Sequence, residues 1–193
     1  MSSKPIVWLL GDSIRMSYQP HVAKLLQGEA QVVGPADNCQ FSLYTLSSLA
    51  RWHAELGDPV LVHWNNGLHD VGHNPGRHPV QVPLDNYVAN LGFILNRLQD
   101  MGPTVIWATT TPVHPSKLFS GDTWLWRNEE IDRYNEVALK LMKQHQLAIN
   151  DLHAIVAAAP DQYMAEDHVH LSEAGQHRCA EAVAEHVRQL LAG

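Results

Sequence analysis

Residues 6–13 of the chain read IVWLLGDS, an apolar run that ends in a glycine, an aspartate and a serine. A short apolar run bounded by turn residues is typical of a buried strand. Pro59–Trp64 is a second run of this kind and is almost continuously apolar, as a strand covered on both faces should be. Thr104–Ala108 is a third. These runs predict the inner strands of a parallel sheet, with Ile6–Leu10 as the first.

Segments with helical spacing separate these strands. In Leu84–Met101 apolar residues recur every three or four positions, which predicts an amphipathic helix. Further helices are expected at Tyr18–Leu26, Leu43–Leu56, Asn128–His145 and after Leu171 with Ser172 as N-cap, and short strands at Gln31–Val33 and Leu147–Asn150. The alternation predicts a three-layer α/β/α sandwich with about five parallel strands. With 193 residues and no linker, a single domain over residues 1–193 is expected.

Composition narrows the possible partners and the compartment. The formal net charge is -7 and no run of Lys or Arg occurs, which argues against a nucleic acid or an anionic membrane as partner. Ile6–Leu10 is too short for a signal-peptide core or a membrane span, so we expect a cytoplasmic protein. Cys39 and Cys179 do not make a disulfide framework, and we expect reduced thiols.

Polar residues follow the predicted strands where chemistry is expected. In a parallel sheet the loops after the strands gather at one edge, and binding sites form there. Ser13 follows the first strand, an amide-bearing turn begins at Asn65, and a threonine loop begins at Thr109. Asp167 and His170 precede the last helix. Each motif alone is a common turn or cap, but together they supply a nucleophile, a base, a residue that orients the base, and oxyanion donors.

Two blocks carry a family resemblance that spans nearly the whole chain. Leu9–Ile14 reads Leu-Leu-Gly-Asp-Ser-Ile, and Asp167–Leu171 places a carboxylate three residues before a histidine. The chain therefore resembles the SGNH (GDSL-like) hydrolases, with Ile14 where the name-giving motif has Leu. The resemblance implies a flavodoxin-like sheet and ester hydrolysis without metal or organic cofactor. It implies Ser13 as nucleophile, His170 as base and Asp167 as the residue that orients the base.

The second block of that family supplies a glycine whose N–H group faces the oxyanion. Residues 38–45 of this chain occupy the corresponding stretch and contain no glycine. Alignment of the two puts Leu43 at the glycine position. A backbone donor survives any side chain, so Leu43 is a predicted oxyanion donor whose bulk would narrow the site.

The third block leaves two alternatives for the side-chain donor. A gapless alignment with Gly-x-Asn-Asp matches Gly67–Asp70 and places His69 where Asn is expected. Other branches of the superfamily have an aromatic-Asn-x-Gly turn, which Trp64–Gly67 resembles, and there the first Asn is the donor. Because side chains alternate faces along a strand, Asn65 and Gly67 share a face and Asn66 points away. We predict Asn65, together with the N–H groups of Ser13 and Leu43.

Other conspicuous residues have ordinary explanations. The histidines at positions 63, 69, 73 and 78 lack the helix and glutamate of a zinc-protease motif, and no metal site is expected. His168 is the rival base. Trp124 and Trp126 could line a sugar or acyl pocket, although packing is an equal explanation. Arg15 is expected to be structural or solvated rather than a substrate ligand.

The predicted function is hydrolysis of a small acyl ester, with acetyl as the favoured acyl group and an O-acetylated sugar as the favoured substrate. Acyl transfer to an alcohol would use the same residues and is one alternative. A non-catalytic flavodoxin-like binding module is the other, since the rim of such a fold offers helix N-termini to phosphate groups. The sequence has no Gly-rich phosphate loop, which argues against that module.

Overall fold

The computed structural model describes residues 4–76, 79–117 and 123–192. Their sheet has five strands in the order β2-β1-β3-β4-β5, and every neighbouring pair is parallel. The strands are β1 (Ile6–Leu10), β2 (Gln31–Val33), β3 (Leu61–Trp64), β4 (Thr104–Ala108) and β5 (Ala148–Asn150). This flavodoxin-like order confirms the predicted sheet. The chain reverses its direction of winding between β1 and β3, where such folds bind ligands.

Helices cover the sheet on both faces. The described residues form α1 (Ser13–Leu25), α2 (Ser42–Leu56), α3 (Leu68–Val71), α4 (Leu84–Met101), α5 (Asn128–Gln144), α6 (Leu152–Ala157), α7 (Pro160–Tyr163) and α8 (Glu173–Leu191). Helix α1 packs against α8, whereas α2, α4 and α5 pack in succession. The three-layer α/β/α prediction is confirmed. No helix of the described segments is long and apolar enough to cross a bilayer.

The core lies between the sheet and these helices. Residues Val7–Leu10 of β1 and Leu61–Trp64 of β3 are completely buried, as expected for strands covered on both faces. Trp64 on β3 faces its register partner Trp107 on β4, with ring centroids 4.8 Å apart. Cys39 and Cys179 are buried and unpaired, in agreement with the expectation of free thiols.

The long helices agree with the predicted ones, and the differences have local causes. Helix α1 begins at Ser13, not Tyr18, because the Asp12 carboxylate caps it by accepting from the N–H of Ile14 at 2.9 Å. The predicted N-cap of α8 is confirmed, since Ser172 Oγ accepts from the N–H of Gly175 at 3.1 Å. Helices α3, α6 and α7 were not predicted because they are too short to show a helical period.

Candidate active site

Ser13 lies at the carboxyl edge of the sheet, as the first residue of α1 and three residues after the end of β1. Its side chain is partly exposed, and the flanking residues Asp12 and Ile14 are buried. Because the first N–H groups of a helix have no partner within it, Ser13 sits in a positive electrostatic environment. The strand-to-helix turn thus presents one hydroxyl group to solvent at the point where the sheet reverses its winding.

The structure brings Ser13, His170 and Asp167 together. Ser13 Oγ lies 2.9 Å from His170 Nε2, and His170 Nδ1 lies 2.6 Å from Asp167 Oδ2. The side chains of His170 and Asp167 are 46% and 50% exposed, so water reaches them freely. The three predicted residues therefore form one continuous hydrogen-bonded chain across 157 positions of sequence.

The Asp167 carboxylate is held as an anion. Partial burial raises its pKa, but hydrogen bonds from the N–H of Val169, the ring of His170 and the N–H of His170 outweigh burial and lower the pKa to about 2. An ionised carboxylate accepts the Nδ1–H proton of His170. That leaves Nε2 as the nitrogen that faces the Ser13 hydroxyl.

Hydrogen bonds from His114 and Lys117 hold the loop that carries Asp167 and His170 in place. The N–H of His114 donates to the carbonyl of His168 at 2.9 Å, and Lys117 Nζ donates to the carbonyl of Asp167 at 2.5 Å. His168 has a left-handed backbone with φ of 64°, and its ring stacks on that of His114 with centroids 4.7 Å apart. His168, the rival base, thus contacts His114, while the ring that contacts Ser13 belongs to His170.

The N-terminus of α2 reaches the same edge. The N–H of Cys39 donates to the carbonyl of Gly11 at 3.2 Å, which ties the segment before α2 to the turn that carries Ser13. Helix α2 begins at Ser42, and the Leu43 N–H has no hydrogen-bond partner in the parts of the chain that the structure describes. The Leu43 side chain is 53% exposed. This placement agrees with a backbone donor at Leu43.

Asp70 fixes the start of α2. Its Oδ1 accepts from the N–H of Ser42 at 2.9 Å and from the Ser42 hydroxyl at 2.5 Å, so the Ser42 N–H is occupied and the Leu43 N–H is not. Asp70 Oδ2 is buried and has no partner among the described residues. Burial raises the pKa of Asp70 to about 7, although the bonds from Ser42 act to lower it. The match of Asp70 to the last residue of Gly-x-Asn-Asp is the one sequence signal for this role.

Asn65 and Asn66 turn to opposite faces, as strand alternation predicts. The Asn66 amide donates to the carbonyl of Gln40 at 3.1 Å and to Thr45 Oγ1 at 3.0 Å, and its Oδ1 accepts from the Trp64 indole at 2.7 Å. Asn66 therefore holds the segment before α2 in place.

Asn65 points toward the end of β4. Its Nδ2 donates to the carbonyl of Ala108 at 2.8 Å and over a longer 3.3 Å to Thr110 Oγ1. Gly67 follows with φ of 157°, and a Cβ atom there would lie 2.1 Å from Thr110 Oγ1, so only glycine lets this turn approach Thr110. As an oxyanion donor, Asn65 would have to exchange the longer of its two bonds, the one to Thr110, for a bond to substrate.

The histidines at positions 63, 69 and 73 contact different partners. His69 packs edge-on against Trp124, with ring centroids 5.7 Å apart, whereas the buried His73 lies 2.8 Å from Glu130. His63 is buried within β3, and His78 lies outside the described residues. No cluster of three possible His, Cys, Asp or Glu ligands occurs within residues 4–76, 79–117 and 123–192.

Trp126 and Arg15 have structural contacts. The Trp126 indole donates to the carbonyl of Leu68 at 2.7 Å, and its ring stacks on Trp124. Arg15 is buried and donates to the carbonyls of Gly11, Pro35 and Asp37. Its guanidinium joins the first strand's loop to the segment before α2, which confirms the structural interpretation of Arg15.

One residue of the site was missed from the sequence. Asn135 lies on α5, where it would pass as a polar surface position. Its Oδ1 accepts from the N–H of Thr110 at 2.8 Å, and its Nδ2 donates to the carbonyl of Thr110 at 2.9 Å. The side chain thus satisfies both backbone groups of the residue that borders Asn65 and Gly67. An isolated Asn inside an amphipathic pattern gives no signal for this.

A parallel α/β/α sandwich with a hydrogen-bonded serine, histidine and aspartate at its carboxyl edge has the groups that a serine hydrolase needs. Residues 9–178 match the family described as GDSL-like lipase/acylhydrolase. The chain belongs to this family and is an SGNH-type esterase.

Solved structures share the fold over nearly the whole chain. An acetyl xylan esterase superposes with a TM-score of 0.77 at 17% identity, covering 94% of this chain and 99% of its own. A carbohydrate esterase family 3 protein from Talaromyces cellulolyticus gives 0.72 at 18% identity, covering 96% and 97%. A lipase/acylhydrolase from Enterococcus faecalis gives 0.71 at 18% identity, covering 96% of each chain. Curated protein sequences gave no match.

Proposed function

We propose that this esterase removes a small acyl group, with acetyl favoured, from a carbohydrate ester, and that Ser13, His170 and Asp167 are its catalytic residues. The observation that carries the proposal is the unbroken chain from Ser13 Oγ to His170 Nε2 at 2.9 Å and from His170 Nδ1 to Asp167 Oδ2 at 2.6 Å. The first distance is within the range at which a base takes a proton from a hydroxyl nucleophile, and the second is that of a carboxylate that orients the base.

The mechanism follows from these positions. His170 Nε2 takes the proton of the Ser13 hydroxyl as Oγ attacks the ester carbonyl carbon, and then gives that proton to the leaving alcohol oxygen. The acyl group stays on Oγ. Water then attacks the acyl-enzyme, again with His170 as base, and releases the acid and free Ser13. Asp167, held as an anion, stabilises the imidazolium that forms at each proton transfer.

The N–H groups of Ser13 and Leu43, with the Asn65 amide, are proposed to hold the oxyanion. The first two are N–H groups in the first turns of α1 and α2, which have no partner inside their helices. A well-placed donor of this kind typically lowers the barrier by about 3 to 4 kcal/mol. The Leu43 side chain, at the position where the family has glycine, would narrow the site and so favour a short acyl group.

The preference for a carbohydrate rests on likeness as well as geometry. Two of the superposed structures are named an acetyl xylan esterase and a carbohydrate esterase, at identities of 17% and 18%. In this chain the side chains of His170 and Asp167 are about half exposed, which leaves room for a bulky alcohol beside them. Acyl transfer to an alcohol would use the same residues. The open access of water to His170 favours hydrolysis, and product analysis in the presence of added alcohols separates the two.

Covalent labelling tests the proposal directly. A fluorophosphonate probe should label the wild-type protein, and mass mapping should place the adduct on Ser13, because among the described residues that hydroxyl group alone is hydrogen-bonded to His170. Ser13→Ala should abolish both labelling and hydrolysis of 4-nitrophenyl acetate. Ser17→Ala is the matched control on the same helix, since Ser17 Oγ bonds only to the carbonyl of Ile14. An adduct on another serine, or full activity in Ser13→Ala, would contradict the assignment.

A further inference from the structure

A groove of about 550 Å³ opens beside the N-terminus of α2. Four side-chain carboxamides line it, together with the apolar residues Phe41 and Leu43; the carboxamides belong to Asn74, Gln81, Asn86 and Asn90. We call it the carboxamide groove. Its volume lies within the usual range for small-molecule sites. Ser13, His170 and Asp167 do not line it, so it is a separate surface that adjoins the proposed oxyanion donor through Leu43.

Two elements and one returning segment build the groove. Asn86 and Asn90 are four residues apart on α4 and therefore share a face of that helix. The N–H of Gln81 donates to the carbonyl of Gly72 at 2.9 Å, and the N–H of Val82 donates to that of Asp70 at 2.9 Å. These bonds fold the segment before α4 back against the end of α3. The groove wall is thereby tied to the same Asp70 that fixes the start of α2.

Three of the carboxamides are held in place by two hydrogen bonds. Asn74 Nδ2 donates to Gln81 Oε1 at 2.7 Å, and Asn90 Nδ2 donates to Ser42 Oγ at 3.0 Å. These bonds leave the Gln81 amide N–H groups and Asn90 Oδ1 available to a ligand. Asn86 is exposed and makes no hydrogen bond within the described residues. The groove thus offers donors and acceptors side by side, as an array of hydroxyl groups requires.

The lining selects the chemistry of the occupant. None of the described residues that line the groove is charged, so none of them supplies the cation that a phosphate or carboxylate ligand would need. A fatty acyl chain would cover the carboxamides without bonding them, which is unfavourable for buried polar groups. A pyranose ring presents hydroxyl groups at its edge and C–H groups on its face, and these match the carboxamides and the Phe41 ring. The fit is to a neutral sugar.

We propose that the carboxamide groove binds the sugar part of a carbohydrate ester whose acyl group lies at Ser13. The proposal rests on the proposed function and adds the recognition site for the alcohol. Leu43 would join the two parts, because its N–H group is a proposed oxyanion donor and its side chain lines the groove. A sugar bound in the groove would present an ester group to Ser13, either on its own ring or on the next sugar unit of the chain.

Binding without chemistry gives the first test. Ser13→Ala is titrated, with calorimetry or NMR, against unacetylated xylotetraose, cellotetraose, mannotetraose and chitotetraose. At least one should bind and shift the side-chain amide signals of Asn86. When Asn86→Ala is combined with Ser13→Ala, that binding should weaken about two- to tenfold, the loss expected for one or two neutral hydrogen bonds. Asn96→Ala is the matched control, an exposed Asn on the same helix that does not line the groove. Binding of none of the four sugars would overturn the proposal.

Kinetics separates this proposal from the proposed function. On the acetylated form of the sugar that binds, Asn86→Ala and Gln81→Ala should each lower kcat/KM about two- to tenfold, while 4-nitrophenyl acetate, which has no sugar, should be hydrolysed as by wild type. If wild type does not hydrolyse 4-nitrophenyl acetate, the proposed function is rejected. The binding test on Ser13→Ala would still decide whether the groove binds a sugar. If the two variants instead slow 4-nitrophenyl octanoate, the groove holds an acyl chain and the proposal is wrong.

Discussion

Asp167 does more than orient a ring. Its Oδ1 accepts from the N–H groups of Val169 and His170, and its Oδ2 contacts His170 Nδ1, so one carboxylate shapes the loop and holds the imidazole. The spacing of three residues follows from this, because His170 must turn back to reach the carboxylate that also binds its own backbone. His168 lies inside that turn and takes the left-handed conformation that the turn requires.

The assignment of the base is tested by two variants of this loop. His170→Ala should lower kcat by roughly a thousandfold or more, and Ser13→Ala with His170→Ala should lose little beyond either alone, since triad members act as a unit. His168→Asn should stay within about threefold of wild type, because Asn tolerates a left-handed backbone. Rates on 4-nitrophenyl acetate measure both. A near-normal His170→Ala beside an inactive His168→Asn would move the base by two residues.

Asn65 is the side-chain donor proposed for the oxyanion. Asn65→Ala should lower kcat by roughly a hundred- to a thousandfold with little change in KM, because the interaction strengthens mainly in the transition state. Asn66→Ala should instead lower the free energy of unfolding by about 2 to 4 kcal/mol, since it leaves the Trp64 indole and Thr45 hydroxyl without their partner. Its activity should fall far less. Steady-state kinetics and thermal unfolding together separate the two roles.

His69→Ala decides between the two alignments of the third block. The His69 ring packs on Trp124 and makes no hydrogen bond within the described residues, so its loss should have a modest effect. A collapse of kcat in His69→Ala with a near-normal Asn65→Ala would reject Asn65. Equal and modest losses at both would leave the N–H groups of Ser13 and Leu43 as the main donors.

At the scale of elements, a helix could be predicted from the sequence when it was long enough to show a regular spacing of apolar residues. Helix α4 spans Leu84–Met101 as predicted, because eighteen residues of regular apolar spacing leave one face to bury. The four-residue helix α3 has no period to detect, and the start of α1 depends on a cap at Asp12 rather than on apolar spacing. The alternation of strands and helices predicted the parallel sheet, whereas its flavodoxin-like order was implied by the family resemblance.

The site was predictable where a motif sits at the end of a strand and not where elements meet across the fold. Ser13, Asp167 and His170 each lie in a motif at a predicted turn. The hydrogen bonds of Asp70 with Ser42 and of Asn135 with Thr110 join residues 28 and 25 positions apart, and no local pattern in the sequence predicts either pairing. The carboxamide groove is similar, because its four amides come from a loop and from α4.

At the scale of the whole molecule, two buried ionisable residues act on stability in opposite directions. Burial, and to a smaller extent the neighbouring His186, lower the pKa of His63, inside β3, to about 3. Burial raises the pKa of Asp70, which follows the same strand, to about 7. Both side chains are therefore neutral in the folded protein at pH 5, whereas in the unfolded chain both are charged.

The signs of the two contributions follow from proton binding. Between about pH 4 and 7 the folded state keeps the Asp70 proton that the unfolded state has lost, so this group makes stability fall as pH rises. Between about pH 3 and 6.5 the unfolded state holds a proton on His63 that the folded state lacks, so this group makes stability rise with pH. Each contributes about 1.4 kcal/mol per pH unit at most, and the two contributions cancel where the windows overlap.

Single variants should reveal the two contributions separately. We expect the difference in free energy of unfolding between Asp70→Asn and wild type to grow from near zero at pH 4 to about 2 to 4 kcal/mol in favour of the variant at pH 8, because Asn keeps the bonds from Ser42 without ionising. The stability of Asp70→Asn should then fall as pH drops below about 6.5, because Asp70 no longer opposes the pH-dependent contribution of His63. His63→Gln should show the opposite slope, with stability that increases as pH falls toward 4. Urea unfolding of both, with Asp100→Asn as an exposed control, measures the slopes. Parallel curves for all four proteins would mean that neither buried residue changes its protonation on unfolding.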